Sequence, residues 1–238
     1  MAIRQGQFLI LNDEQEYSCY MNSGEKVRNL SVFFKKEFAA SVLHDSLHKE
    51  ESLLDSPFEH GKKTPEFFQT LQHISPELQQ QLTSLLAALA NQGYHPNMAD
   101  EHLVFLLRYL LKTHQSDKRR AQNVNGLKPA TKLEVYKRLC IAKDILHSSY
   151  MDSIDLNVIG QLSYLSVPQL VRQFKSVFNT TPHQYLINIR LQRATELLKA
   201  TVKPIHEITW LCGFENVSAF SRAFKTAYGV QPSSYRNC

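Results

Sequence analysis

Glycine is scarce, at 8 residues in a chain of 238, which leaves little room for a glycine-rich loop that cradles phosphates. The 4 cysteines, Cys19, Cys140, Cys212 and Cys238, are scattered and form no CxxC pair. That spacing fits reduced thiols. No apolar run approaches the ~18 residues that a membrane-spanning helix needs. The opening Met1-Ala2-Ile3-Arg4-Gln5-Gly6 lacks the apolar stretch of an export signal, so a cytoplasmic protein with no membrane partner is expected. His44 and His48 share a helical spacing with Glu50 and Glu51 nearby, but there is no HExxH and no third ligand. A solvated helix face is the reading there, not a metal site. No nucleophile stands beside a base, so no enzyme and no cofactor are expected.

Charge is present, and it is sorted. Residues 1–111 hold 9 Lys and Arg against 14 Asp and Glu, residues 112–130 hold 5 against 1, and residues 131–238 hold 13 against 7. Basic surface concentrated toward one end suits contact with a polyanion.

The alternation in Gln7–Leu11, a turn signal at Asn12-Asp13-Glu14, and Tyr17–Tyr20 predict a hairpin, with Asn29–Phe34 as a third strand. From Lys36 the period becomes helical, with Phe38, Val42, Leu43 and Leu47 on one side toward Glu51. Pro65 is expected to open a short helix with Phe67, Phe68 and Leu71, and Ser75-Pro76 a longer one through Leu89. Leu103 to Leu111 is apolar enough to need cover on two sides. We therefore expect a homodimer through residues 76–112. Residues 115–130, with Asp117-Lys118-Arg119-Arg120, Asn125-Gly126 and Pro129, read as a linker. Thr131-Lys132-Leu133-Glu134 reads as a capping box that opens the next domain.

The last third writes one pattern twice. Arg172-Gln173-Phe174-Lys175 returns as Arg222-Ala223-Phe224-Lys225, 50 residues on. Leu170, Phe178, Pro182 and Tyr185 are answered by Phe220, Tyr228, Pro232 and Tyr235 at the same offset. Leu156, Ile159, Leu162 and Leu165, however, precede Ile205, Ile208, Leu211 and Phe214 by 49. The second copy therefore carries one extra residue in the turn between its two helices, and a repeat that tolerates such an insertion is a structural unit. In the first copy Leu156, Ile159 and Leu162 line one side of a short helix. Ser166-Val167-Pro168-Gln169 is a second capping box, and Leu170, Phe174, Val177 and Phe178 form a buried stripe. Arg172, Gln173 and Lys175 fall outside that stripe. Two short helices around a tight turn, the second with a basic face, make a helix-turn-helix. A helix from Pro182 to Leu198, capped by Thr181, spans about 25 Å between the copies. That length can set two recognition helices near the ~34 Å spacing of successive major grooves.

Residues 131–236 resemble the DNA-binding domain of AraC-type (AraC/XylS) transcriptional regulators. The resemblance rests on Leu156-x-x-Ile159-x-x-Leu162, Ser166-x-x-x-Leu170-x-Arg172-x-Phe174-Lys175, Tyr185-x-x-x-x-Arg190-Leu191-x-x-Ala194-x-x-Leu197-Leu198, Ile205-x-x-Ile208, Gly213-Phe214, Phe220-x-Arg222-x-Phe224-Lys225 and Gly229-Val230-x-Pro232-x-x-Tyr235-Arg236. It implies a mainly α protein with a small N-terminal β segment. It further implies seven C-terminal helices holding two helix-turn-helix motifs, with partial cupin-like strands and helices before them. The implied function is a sequence-specific regulator that inserts two recognition helices into successive major grooves of double-stranded DNA and acts on the transcription machinery. Pro168, Val171 and Arg172 would face bases in the first copy, and Val217, Ser218, Ser221 and Arg222 in the second. Gln173, Lys175 and Lys225 would contact phosphates. Asn179 stands where the family usually has Gly. Pro168 and Val171 replace larger readers, so the first copy is expected to anchor more than it reads.

The expected organisation is 1–114 as partial cupin-like segment and dimerising helices, 115–130 as linker, and 131–238 as DNA-binding domain. Half a barrel encloses no pocket, so no effector site is assigned. The rival reading is a non-enzymatic interaction module, an anti-regulator with impaired DNA binding. Cys19 has no adjacent Arg or His to activate it, which argues against the methyl-transferring repair regulators that share this motif pair.

Overall fold

A computed structural model describes residues 3, 6–14, 16–18, 20, 29–47, 65–93, 95–126 and 128–236. Cys19, His48, Glu50, Glu51 and Cys238 lie outside them. The chain forms two compact units, Arg4–Lys118 and Arg119–Cys238, the latter with Met1–Ile3. As expected, the fold is mainly α with a small N-terminal β segment.

In the first unit, β1 (Gln7–Phe8) pairs antiparallel with β2 (Gln72–His73), Gln7 opposite His73. This corrects the expected hairpin. The turn at Asp13–Glu14 forms, but Tyr17, Ser18 and Tyr20 are not strand, nor are residues 29–34. Alternation marks a strand without naming its partner, and here the partner lies far along the chain. Asn12 reinforces the pairing: its Nδ2 donates to Phe67 O (2.9 Å) and its Oδ1 accepts from Phe67 N (2.7 Å). Residues 65–71 are neither helix nor strand, where a short helix had been expected, and Thr70 N donates to Phe68 O at 3.0 Å.

Helix α1 (Lys36–Leu47) lays Ala39 and Val42 against Leu107 and Leu111. Helix α2 (Pro76–Gln92) starts as its sequence predicts, with Ser75 Oγ accepting from Leu78 N at 3.1 Å. Its Leu78 and Leu85 pack with Leu106 of α3 (Pro96–Gln122). Helix α3 continues through residues 115–122, which polarity alone marked as linker. The reason is a narrow buried stripe: His114, Asp117 and Ala121 recur at helical spacing while Gln115, Ser116 and residues 118–120 face solvent.

Among the described residues the second unit holds seven helices from residue 129 on: α4 (Pro129–Ser148), α5 (Leu156–Leu162), α6 (Val167–Phe178), α7 (Pro182–Ala200), α8 (Ile205–Leu211), α9 (Val217–Tyr228) and α10 (Pro232–Arg236). The Thr131 box is not used. Helix α4 begins at Pro129, three residues earlier than that box implies, with Lys128 as N-cap. Proline at N1 has the helical φ already set and no amide to satisfy there.

Candidate nucleic-acid interface

Each copy becomes a helix, a tight turn and a second helix: α5–α6 and α8–α9. Residues 163–166 join the first pair and residues 212–216 the second, so the extra residue sits in the turn, as the change of register required. The position two residues past each first helix is left-handed, Tyr164 at φ 55° and Gly213 at φ 78°. The second helices end alike, on Asn179 (φ 58°) and Gly229 (φ 77°). Asn serves where Gly is usual because it tolerates this geometry.

Starts of the recognition helices differ. Asn216 Oδ1 accepts from Ala219 N at 2.8 Å. Ser166 occupies the N-cap of α6, yet its side chain makes no capping bond, so that capping box is not formed. Pro168, at the second position of α6, has removed one of the amides a cap would serve.

The apolar stripes pack as spaced. Leu170, Phe174, Phe220 and Phe224 are fully buried. Leu162 is an exception: it is 54% exposed and does not join Ile159 in the core. Behind each recognition helix stands the same aromatic triad. Phe174 lies 4.6 Å from Phe178 and 5.4 Å from Tyr185; Phe224 lies 4.7 Å from Tyr228 and 5.3 Å from Tyr235. These edge and tilted contacts add to burial.

Opposite the stripes lie the nominated residues. Pro168, Arg172 and Lys175 are exposed on α6, with Val171 half-buried. On α9, Val217, Ser218, Arg222 and Lys225 are exposed and Ser221 half-buried. The two faces thus match position by position. Among the described residues neither Arg172 nor Arg222 is held in an ion pair, so the alternative of a surface salt bridge is not realised there. Each guanidinium keeps its donors for another acceptor.

Gln173 must be corrected. It is 2% exposed, and its amide is used internally: Asn125 N donates to Oε1 at 2.9 Å and Nε2 donates to Asn125 O at 3.2 Å. Buried and turned onto the main chain of Asn125, the amide does not share the exposed face that Arg172 and Lys175 present. Its counterpart in the second copy is Ala223, partly buried against the core.

Arg190, quoted above only as part of a motif, joins α7 to the segment between α4 and α5. From α7 its Nε donates to Tyr150 O (2.7 Å) and its Nη2 to Asp152 O (2.9 Å), and the guanidinium lies 5.9 Å from the Phe214 ring centre. Burial lowers its pKa from the ordinary value, with Glu215, Cys212 and Asp152 opposing. Gly213 meets the same 150–151 backbone. The segment after α4 is therefore held from both α7 and the second turn. Helix α7 itself is 19 residues, or about 28 Å, capped by Thr181 Oγ1 accepting from Gln184 N.

Tyr185 brings a pH dependence. Burial, then the charges of Asp144 and Cys140, push its hydroxyl up to about 12, and the oxygen lies 2.8 Å from His147 Nε2. A raised acid pKa means stability that is complete below the unfolded value of ~10 and is lost as pH rises toward the folded one. The unfolding free energy should fall between roughly pH 10 and 12, by an amount on the order of 2 kcal/mol. A Tyr185→Phe variant measured alongside should lack most of that fall. Parallel pH curves for the two proteins would contradict the assignment.

The helix-turn-helix domain family matches residues 161–237. The probable transcriptional regulator LumQ of Photobacterium leiognathi is 30% identical over 156 residues, 61% of this chain and 63% of LumQ. The transcriptional regulator MtrA of Neisseria gonorrhoeae is 40% identical over 85 residues, 36% of this chain and 28% of MtrA. This chain therefore spans less than two thirds of the length of these relatives. Among solved structures, the C-terminal domain of AraT, a response regulator from Geobacillus stearothermophilus, matches 42% of this chain and 84% of its own, at 31% identity and TM-score 0.41.

Proposed function

We propose that this chain, whose residues 161–237 match a helix-turn-helix domain family, is a sequence-specific DNA-binding transcriptional regulator of the AraC type that lays α6 and α9 into successive major grooves. One observation carries this. The same two basic positions, Arg172 with Lys175 and Arg222 with Lys225, are exposed in both copies while the frame around them is buried. Arg222 reads a guanine edge, flanked by Val217, Ser218 and Ser221. Pro168, Val171 and Arg172 meet bases in the first groove, where the apolar pair contributes little discrimination. Lys175 and Lys225 position phosphates.

A fluorescence-anisotropy titration against random duplex at two salt concentrations tests the proposal. A steep loss of affinity with salt is expected. No binding at low salt would favour the rival, an interaction module that sequesters a partner. Within that titration Lys225→Ala should weaken specific and random duplexes alike and reduce the salt slope by about one. A loss confined to one sequence would move Lys225 from phosphate to base.

The remaining assignments belong to the same proposal. Residues 1–114 serve dimerisation, through α2 and the part of α3 up to residue 112, and residues 131–238 serve DNA. Leu86 is 48% exposed on α2, and Leu103, Phe105, Tyr109 and Leu110 on α3 are only half-buried, which favours a second copy as their cover. The transcription machinery is the further partner and the cytoplasm the location. No helix among the described residues is long and apolar enough to cross a membrane. We assign the chain no catalytic step.

A further inference from the structure

The turn that precedes α4 is folded onto the first recognition helix. Ala121 and Val124 are buried at 1% and 0% exposure within the second unit, although the neighbouring residues are polar. Two side chains of α6 hold this turn by its main chain. Gln173 makes its paired bonds to Asn125 N and O, and Ser176 Oγ donates to Asn123 O at 2.5 Å. Lys132 Nζ adds a bond to Gln122 O at 2.8 Å from α4.

Around α6, residues 173 and 176 point some 120° away from the mean direction of 168, 171, 172 and 175, at 100° per residue. The turn therefore braces the flank of the recognition helix without covering its exposed face. It also braces only one of the two helices, since Ala223 in α9 has no amide with which to do the same.

We infer that Gln173 is a positioning residue for the first recognition helix. It holds α6 in its reading pose through the main chain of Asn125, so that the order of residues 119–126 governs how the first copy engages DNA while the second copy engages it independently. This rests on the reading of α6 as a DNA-facing helix. Linkage makes the effect reciprocal: duplex bound at α6 must in turn stabilise the braced turn.

The test uses the full chain and duplexes recovered by wild-type protein from a random library, with each half-site scrambled in turn. The α9 half-site is identified as the one in which Arg222→Ala relaxes a base preference. Gln173→Leu, which keeps the volume and loses both bonds, should reduce discrimination at the α6 half-site by roughly five- to tenfold, the scale of one net hydrogen bond or slightly more. Discrimination at the α9 half-site and the salt slope should be unchanged. Ser176→Ala, at a surface position where folding is not at risk, should act in the same direction more weakly. Amide hydrogen exchange gives a second readout: duplex should slow exchange at Asn125 in the wild type and much less in Gln173→Leu. Equal losses at both half-sites, or duplex protection of Asn125 that survives the substitution, would overturn the inference. Absence of any duplex binding by the wild-type chain would instead overturn the DNA reading, and the inference with it.

Discussion

Gly213→Ala is expected to lower the stability of the second unit by about 3 kcal/mol, from a left-handed penalty of ~1–2 kcal/mol and an overpacking cost of similar size. The residue sits at φ 78°, and a Cβ there would stand 2.6 Å from Tyr150 O and 2.9 Å from both Met151 Cα and Met151 O. All three are backbone atoms, so no rotamer change can relieve the contact. The melting temperature followed by circular dichroism should drop by roughly 10 °C or more. Gly229 supplies the control. Its φ of 77° is nearly the same, but nothing lies within 4 Å of its Cβ direction. Gly229→Ala should therefore carry the left-handed cost alone, about 1 kcal/mol. Equal losses from the two substitutions would show that the close approach to residues 150–151 contributes nothing. That would remove the argument that this segment fixes the second motif in place.

Arg222→Ala is expected to cost about 1–3 kcal/mol on the recognised site and to relax one base preference there. In affinity that is roughly a fivefold to hundredfold loss. The guanidinium is exposed at the same helical position as Arg172 and, among the described residues, is held in no ion pair. Its removal therefore breaks nothing inside the fold, and the loss reports on DNA alone. Anisotropy titrations should show the random duplex affected far less than the specific one. Comparable losses on both would reassign Arg222 to the phosphate backbone.

Much of the second unit is legible in the sequence, and the reason is local. Leu170, Phe174, Phe220 and Phe224 recur at helical spacing, Thr181 caps where its side chain can reach the third amide, and the change from a 49- to a 50-residue offset locates the extra turn residue. Such signals need no knowledge of distant contacts. What stays hidden is non-local. The partner of Gln7–Phe8 is at residues 72–73, and the same alternation would serve a hairpin equally well. Polar residues 115–122 read as linker until Asp117 and Ala121 are seen to be buried. Thr131 carries a sound capping signal, but Pro129 starts the helix first.

The candidate site divides in the same way. Arg172, Lys175, Arg222 and Lys225 follow from lying outside the apolar stripes, and exposure agrees. Gln173 has the same sequence credentials yet is buried, because an amide can bond a peptide group as well as it can bond a phosphate. Arg190 shows the converse. Its position in the repeat frame is plain, but its task of joining α7 to Tyr150 and Asp152 depends on a turn some 40 residues earlier.

Selection of bound sites from a random duplex library with the full chain tests the central claim most directly. Two blocks of preferred bases should emerge, their centres about one helical turn apart, with the tighter base constraint in the block where Arg222→Ala relaxes a base and a looser one opposite Pro168 and Val171. A single block, or a block at the first copy as constrained as that at the second, would contradict the account.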